Sequence, residues 1–542
     1  VYFREGTMRS LSLTLLVVAL LLSACGATTT QPPTAAPAAQ ATNAPAPATS
    51  APAEQPPAVP ATSAPAPTAA AGTLRIGTGL SIPSSLITPV GTNGFNMVTY
   101  GAGETLMRLT PDQQLEPWLA EKVERTDELT WRVTIRQGVR FHDGSAMTAQ
   151  AVADSFASSW AGLPNAATFV PSTTKVLVVD DLNLDFTTPA PQGNFRYSLA
   201  NWNFVIHKAP VNDISIMTGM YRPVSLTKDQ EFVLERFADY WGTPATLEKI
   251  QVLRITDANA RALALQSGDV DMLTNVAPDI ARGLPPEIEK VSVPGTRMHH
   301  IILNHANAPF GDKIVREAAS LAIDRAALLQ ATLDGQGEVA VNLYPASLGV
   351  PLVAAQSTDV ARAKTLLDEA GWVVGSDGVR SKDGQSLTVK LYTYPGRPEL
   401  TQMAVAIQAM WKDVGFAVEV EEVADIVATI KDGNFQASMF SIGVQTDPQY
   451  MPGITMTEGG AFNYGKYRNP QLETLVTELR AEDDTAARLE IAKQIQEIVK
   501  ADVPNIYLAT PPLITAFQQG KIVGYQPNPN DLYLITPQIA LR

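Results

Sequence analysis

The residues best suited to chemistry in this chain are few and scattered. There are five histidines and one cysteine. His142 sits in Phe141-His142-Asp143-Gly144, where the Asp-Gly pair reads as a tight turn that glycine closes at positive φ, so the histidine is expected to pack or hydrogen-bond locally. Met298-His299-His300 and the nearby His305 are the residues to consider for a metal. Side chains alternate along a strand, so His299 and His300 face opposite ways and make poor joint ligands. Gly460-Ala461-Phe462-Asn463-Tyr464-Gly465-Lys466 matches a phosphate-binding loop up to its lysine. Tyr467 then replaces the hydroxyl residue that would hold magnesium, and Pro470 falls where the helix must begin, so the stretch reads as an ordinary loop. No His-Glu-x-x-His and no Gly-x-Ser-x-Gly occurs. Without a nucleophile and base in sight, the chain is not expected to be an enzyme or to need a cofactor.

The cysteine points elsewhere. Leu22-Ser23-Ala24-Cys25 resembles a bacterial lipobox. Arg9 gives a basic start, and Leu11 to Leu22 is an apolar run too short to span a bilayer but suited to a signal-peptide core. Met8 fits a translation start. Residues 1–24 are therefore expected to be a lipoprotein signal peptide, and a diacylated Cys25 would anchor the chain to a membrane from outside the cytoplasm. Residues 25–72 follow as lipidated cysteine and linker. From Ala27 to Ala71 almost every residue is Ala, Pro, Thr, Ser or Gln, a composition that lacks the apolar bulk to offset ordering entropy and that favours an extended spacer.

The elements that must position any site lie beyond Gly72. About 470 residues remain, enough for two or three units with real cores. The net charge is −14, from 40 basic and 54 acidic residues, and no basic block follows the signal, which argues against a nucleic-acid partner. With one cysteine, no internal disulfide can form. Leu74 to Thr78 reads as a strand, and Leu129 to Arg136 alternates like a half-buried one. Thr148 is placed to cap a helix running to about Trp160, with Val152, Phe156 and Ser159 on one face. Asp257 and Gly268 bracket another helix, and Asp359 and Gly371 a third. Asp312 is expected to start a helix through Leu329, and Met403, Ile407, Met410, Trp411 and Val414 form a stripe along one from Thr401 to Val414. Alternating strands and helices argue for α/β lobes.

Several stretches, in order, resemble the family 5 extracytoplasmic solute-binding proteins, the peptide/nickel group that serves ABC importers. They are Leu129-Thr130-Trp131 through Arg136-Gln137-Gly138-Val139-Arg140-Phe141-His142-Asp143-Gly144; Thr218-Gly219-Met220-Tyr221; Asp239-Tyr240-Trp241-Gly242; Arg261 to Asp271; Pro309-Phe310-Gly311-Asp312 with Ala322-Ile323-Asp324-Arg325; Glu369-Ala370-Gly371-Trp372; and Asp447-Pro448 followed by Tyr450.

The resemblance implies an α/β, two-lobed fold of the periplasmic-binding-protein type II kind, with an extra subdomain inserted in lobe I and ligand enclosed between the lobes. Lobe I would take residues 73–108, 208–304 and 512–542, the inserted subdomain 109–207, and lobe II 305–511. Hinge strands would run near His300 to Asn304 and Ile506 to Thr510. The implied role is that of a membrane-anchored receptor that captures a di- or oligopeptide and delivers it to permease subunits driven by a cytoplasmic ATPase. In that setting Asp447 would pair with the ligand's α-ammonium, Arg397 would hold a carboxylate, and Tyr450 and Trp202 would be apolar walls. The alternative within the class is a nickel–histidine-type chelate, for which His207, His299, His300 and His305 are the residues to watch. Gln449 stands where many nickel binders carry histidine, and Asn201-Trp202-Asn203 lacks an anion-gripping arginine. From a different class, an anchored sensor or adhesion module would bind a partner protein instead.

Overall fold

A computed structural model describes residues 72–351, 353–354, 357–395, 397–443 and 447–542. The signal segment, Cys25 and the linker lie outside the described residues.

The chain enters at Thr73–Thr78, whose Leu74 and Ile76 are fully buried. This strand lies in a seven-stranded sheet with the order Tyr221–Thr227, Glu231–Arg236, Lys249–Arg254, Thr73–Thr78, Met272–Leu273, Pro512–Gln518 and Ile288–Pro294. Helix Ala258–Ser267 packs on it. Asp257 caps that helix by accepting from Ala260 N at 2.7 Å, and Gly268 ends it at φ 81°, as its sequence leads one to expect.

The second sheet has six strands in the order Glu338–Val339, Asn505–Thr510, Arg297–Leu303, Ala437–Gly443, Thr388–Thr393 and Ala417–Glu422. Helices Lys313–Leu321, Arg325–Leu333, Val360–Glu369 and Pro398–Lys412 share the core on one face, with Met403, Ile407 and Trp411 fully buried. Helices Pro470–Ala481 and Thr485–Asp502 share the core on the other. The single helix expected from Asp312 to Leu329 is two. Asp324 accepts from Ala327 N at 2.9 Å and caps a fresh helix, while the buried Arg325 side chain donates back to the Ser320 carbonyl at 3.1 Å across the break.

A separate four-stranded sheet, Ala120–Arg125, Thr130–Ile135, Asn183–Thr187 and Lys175–Val178, carries helix Ala149–Gly162. Its core is aromatic: Phe156 stacks on Phe204 at 4.8 Å and Trp131 on Phe195 at 5.6 Å. The Phe141-to-Gly144 turn ties this subdomain to the first lobe. Gly144 sits at φ 82°, and His142 meets the Gly219 carbonyl with Nε2 at 3.0 Å while its backbone N–H donates to Met217. Burial pulls the His142 pKa down to about 4, which leaves it neutral and structural.

Only two crossovers join the large sheets among the described residues. Strand Arg297–Leu303 pairs along its whole length with Ala437–Gly443, so it belongs to the second sheet and not to the lobe I stretch drawn as 208–304. The chain passes between lobes at Gly295-Thr296 and at Pro511. There Gly295 N donates to the Pro511 carbonyl at 3.3 Å, and a Cβ on Gly295 would fall 2.6 Å from that oxygen.

Candidate functional site

Beside these crossovers the two lobes enclose a cleft of about 1420 Å³, its solvent-open mouth included. Phe95, Trp202 and Leu532 line one side, and Phe440, Ile442, Tyr450 and Phe462 the other. Trp202 is set by a short turn in which Asn201 Oδ1 accepts from Asn203 N at 2.9 Å, and it meets Phe95 edge to face at 5.5 Å. Tyr450 opens helix Tyr450–Thr455 and stacks on Phe169 of the inserted subdomain at 5.6 Å. Both aromatic residues singled out in the sequence line the cleft, on opposite sides.

Asp447 also lines the cleft, but its carboxylate is heavily engaged. It pairs with Arg488, accepts from Asn194 Nδ2 at 2.7 Å and accepts from Gln449 N at 3.0 Å. Arg397 precedes helix Pro398–Lys412 and is not among the residues lining the cleft; its guanidinium lies 3.6 Å from Glu399. Glu399 in turn lies 3.3 Å from His299 Nε2. Burial pushes the Glu399 carboxyl up, yet the His299 contact and the Arg397 charge outweigh it and hold it down at about 2. Complete burial lowers His299 and favours its neutral form, so we ascribe the ionised Glu399 chiefly to the Arg397 charge; His299 Nε2 lies close but makes no hydrogen bond with it.

Two charged cleft residues went unnoticed in the sequence. Arg297 begins its strand at the crossover; burial, aided by Arg397, lowers it to about 10, still cationic at neutral pH. Asp531 lies in the C-terminal segment and accepts from Asn275 Nδ2 at 3.0 and 3.1 Å; burial raises its pKa. The signal that could have found Arg297 is its position, a cation between a glycine-containing crossover and a buried strand.

The histidines are dispersed and none lines the cleft. His207 is held by Ser155, Ser158 and the Val205 carbonyl, His300 packs between Phe440 and Tyr507, and His305 meets the Pro504 carbonyl at 3.0 Å. Among the described residues no group of three or more His, Cys, Asp or Glu side chains is arranged to hold a metal ion. The Gly460-to-Lys466 stretch is a loop packed on the hinge strand: a Cβ on Gly465 would lie 2.3 Å from the Leu303 carbonyl oxygen. No helix among the described residues is long and apolar enough to cross a membrane.

Two α/β lobes on paired crossovers, with an apolar cleft between them, define a protein built to close on a solute. The chain belongs to the bacterial extracellular solute-binding proteins, family 5, whose middle-region profile matches residues 114–464. Members of this family are binding proteins rather than enzymes. Over 449 residues the chain is 26% identical to the nickel-binding protein NikA of Staphylococcus aureus, covering 81% of this chain and 89% of that protein. It is also 26% identical to the oligopeptide-binding protein AppA of Bacillus subtilis over 452 residues, 77% of this chain and 82% of the relative. In solved structures the fold is matched by the Staphylococcus aureus protein in complex with Ni(L-His)2, with a TM-score of 0.76 at 24% identity over 87% of this chain and all of the other. AppA of Bacillus subtilis in complex with a nonapeptide gives 0.74 at 23% identity, over 87% and 99% of the two chains.

Proposed function

We propose that this chain is the receptor of an ABC importer, tethered outside the cytoplasm by a lipid on Cys25, and that it captures a peptide or a similar solute bearing an amino and a carboxylate group. The observation that carries this reading is the cleft itself: its aromatic walls come from both lobes, so a ligand bridging Trp202 and Tyr450 favours the closed arrangement by its differential affinity for that state. Closed lobes would then present one composite surface to the permease. Asp447 contributes from the cleft lining, where its carboxylate already joins the lobes through Asn194. Arg397 contributes from behind, adding positive potential next to Arg297 while Glu399 holds its guanidinium.

A nickel–histidine chelate is the second reading. A metal saturated by its own histidine ligands needs none from the protein, in keeping with a cleft wall free of histidine, and the Staphylococcus aureus relative is named for nickel.

Thermal unfolding of the full chain in detergent micelles tests both. Mixed short peptides and nickel with excess histidine are added separately, the latter with a chelator control. A ligand at about 100 times its Kd adds roughly 2.7 kcal/mol. A rise with peptides alone supports the first reading, a chelator-reversible rise with nickel–histidine alone supports the second, and no rise with either refutes solute capture of these classes.

A further inference from the structure

Arg297 and Asp531 carry opposite charges and line the same cleft, Arg297 from the first crossover and Asp531 from the C-terminal segment. Their neighbours hold them side by side. Thr296 N donates to the Pro529 carbonyl at 3.1 Å, and Thr296 Oγ1 donates to Asn530 Oδ1 at 3.1 Å, so the residue after each contact enters the cleft next to the other. Yet they form no ion pair: among the described residues no carboxylate oxygen comes within 4.0 Å of the Arg297 guanidinium. Among the described residues, of its five N–H donors the one engaged is Nη1, at 3.5 Å from the Ser441 carbonyl. Arg397 beside it is different, because it has Glu399. On the other side, Asn275 clamps both oxygens of Asp531 from one direction and leaves the remaining lone pairs to the cleft. Asp447 cannot do the same work, since Arg488, Asn194 and Gln449 already occupy it. A half-buried guanidinium and a carboxylate with open hydrogen-bonding capacity, adjacent but apart, are incompletely satisfied in the protein alone.

We propose that Arg297 and Asp531 are the charge-reading pair of the cleft, Arg297 taking the carboxylate and Asp531 the ammonium of one compact zwitterion, a free amino acid or dipeptide whose side chain lies on the Phe95–Trp202 wall. This rests on the solute-capture reading above and narrows it. A planar guanidinium grips a carboxylate with two parallel N–H bonds, a geometry that lysine cannot copy. A histidine bound to nickel through its amine has no ammonium to offer Asp531, so the pair discriminates against the chelate.

The test is calorimetric titration of the full chain in detergent micelles with L-phenylalanine and Ala-Phe, their N-acetyl forms and their C-terminal amides. The parent is expected to bind at least one free zwitterion, with each blocked form at least tenfold weaker. Arg297→Gln and Arg297→Lys should lose at least tenfold for the zwitterion while leaving the amide's affinity unchanged. Asp531→Asn should lose as much for the zwitterion and leave the N-acetyl form unchanged. Equal losses for blocked and unblocked ligands in the variants would overturn the pairing, as would blocked forms that bind the parent as tightly as free ones, a result independent of how the variants fold. If no free zwitterion binds but longer peptides or nickel–histidine do, the pair is refuted while solute capture stands. If none of these ligands binds, both fall.

Discussion

The Asp447 carboxylate and the Arg488 guanidinium pair inside the second lobe, with side chains 7% and 4% exposed, and Asn194 of the inserted subdomain donates to the same carboxylate. One buried ion pair therefore also serves as a contact between lobes. Arg488 is fixed further by donating to the Leu479 and Glu482 carbonyls at 2.6 and 2.7 Å, and it lies over the Tyr197 ring at 5.9 Å.

Truncating Asp447 should thus act on stability before it acts on recognition. Asp447→Ala leaves a buried guanidinium without its counter-charge, a loss of about 3–5 kcal/mol for a pair of this kind. Chemical unfolding should show that drop, and ligand affinity should fall by a similar factor whether or not the ligand's amine is acetylated. A loss confined to free-amine ligands with stability intact would assign Asp447 directly to the ammonium.

Closure can be blocked at a single backbone contact. Gly193 N donates to the Arg480 carbonyl at 2.7 Å, and a Cβ on Gly193 would lie 1.9 Å from the Glu482 carbonyl oxygen. Gly193→Ala has no room when the lobes meet and ample room when they part. Ligand affinity should fall at least about tenfold, or about 1.4 kcal/mol, while the unliganded unfolding midpoint stays put. Small-angle scattering should show the variant failing to contract on adding ligand; contraction equal to the parent's would sink the idea.

Much of the architecture was legible because helices announce themselves locally. Thr148, Asp257 and Asp359 each accept from the expected backbone N–H, and Gly268 and Gly371 take the left-handed conformation that ends a helix. The site was less legible because its contacts are long-range. Asn194 reaches Asp447 across 253 positions, and Thr296 meets Asn530 across 234. Periodicity reports which face of an element is buried, not which distant loop covers it. The break at Asp324 shows the limit at short range too: a continuous apolar stripe hid a second cap, across which the buried Arg325 donates back to Ser320.

Glu399 should give the protein an acid-sensitive limb. Its folded pKa of about 2 lies below the ordinary glutamate value of 4.5. Between those values the unfolded chain binds the extra proton, so stability is fully present above about pH 4.5 and is lost as pH falls towards 2, by at most about 3 kcal/mol. Glu399→Gln should flatten the urea midpoint between pH 3 and 5 relative to the parent. An unchanged slope would show that Arg397 and His299 do not hold this carboxylate.

Glu104 should act in the opposite sense. It is 1% exposed and accepts from Tyr240 Oη at 2.7 Å and from Trp241 Nε1 at 3.0 Å, the two aromatic residues of the Asp239-Tyr240-Trp241-Gly242 stretch. Burial outweighs those hydrogen bonds and raises its pKa to about 7. Between pH 4.5 and 7 the folded protein keeps a proton that the unfolded chain has released, so this group's contribution is present at low pH and is lost as pH rises through 7, on the order of 3 kcal/mol in all. Glu104→Gln holds the neutral form at every pH and keeps an oxygen for one of the two donors. The gap between variant and parent should therefore widen in the variant's favour from pH 5 to pH 7.5, read as the difference in urea midpoints. A constant gap would mean that Glu104 is ionised throughout and that Tyr240 and Trp241 suffice to compensate its burial.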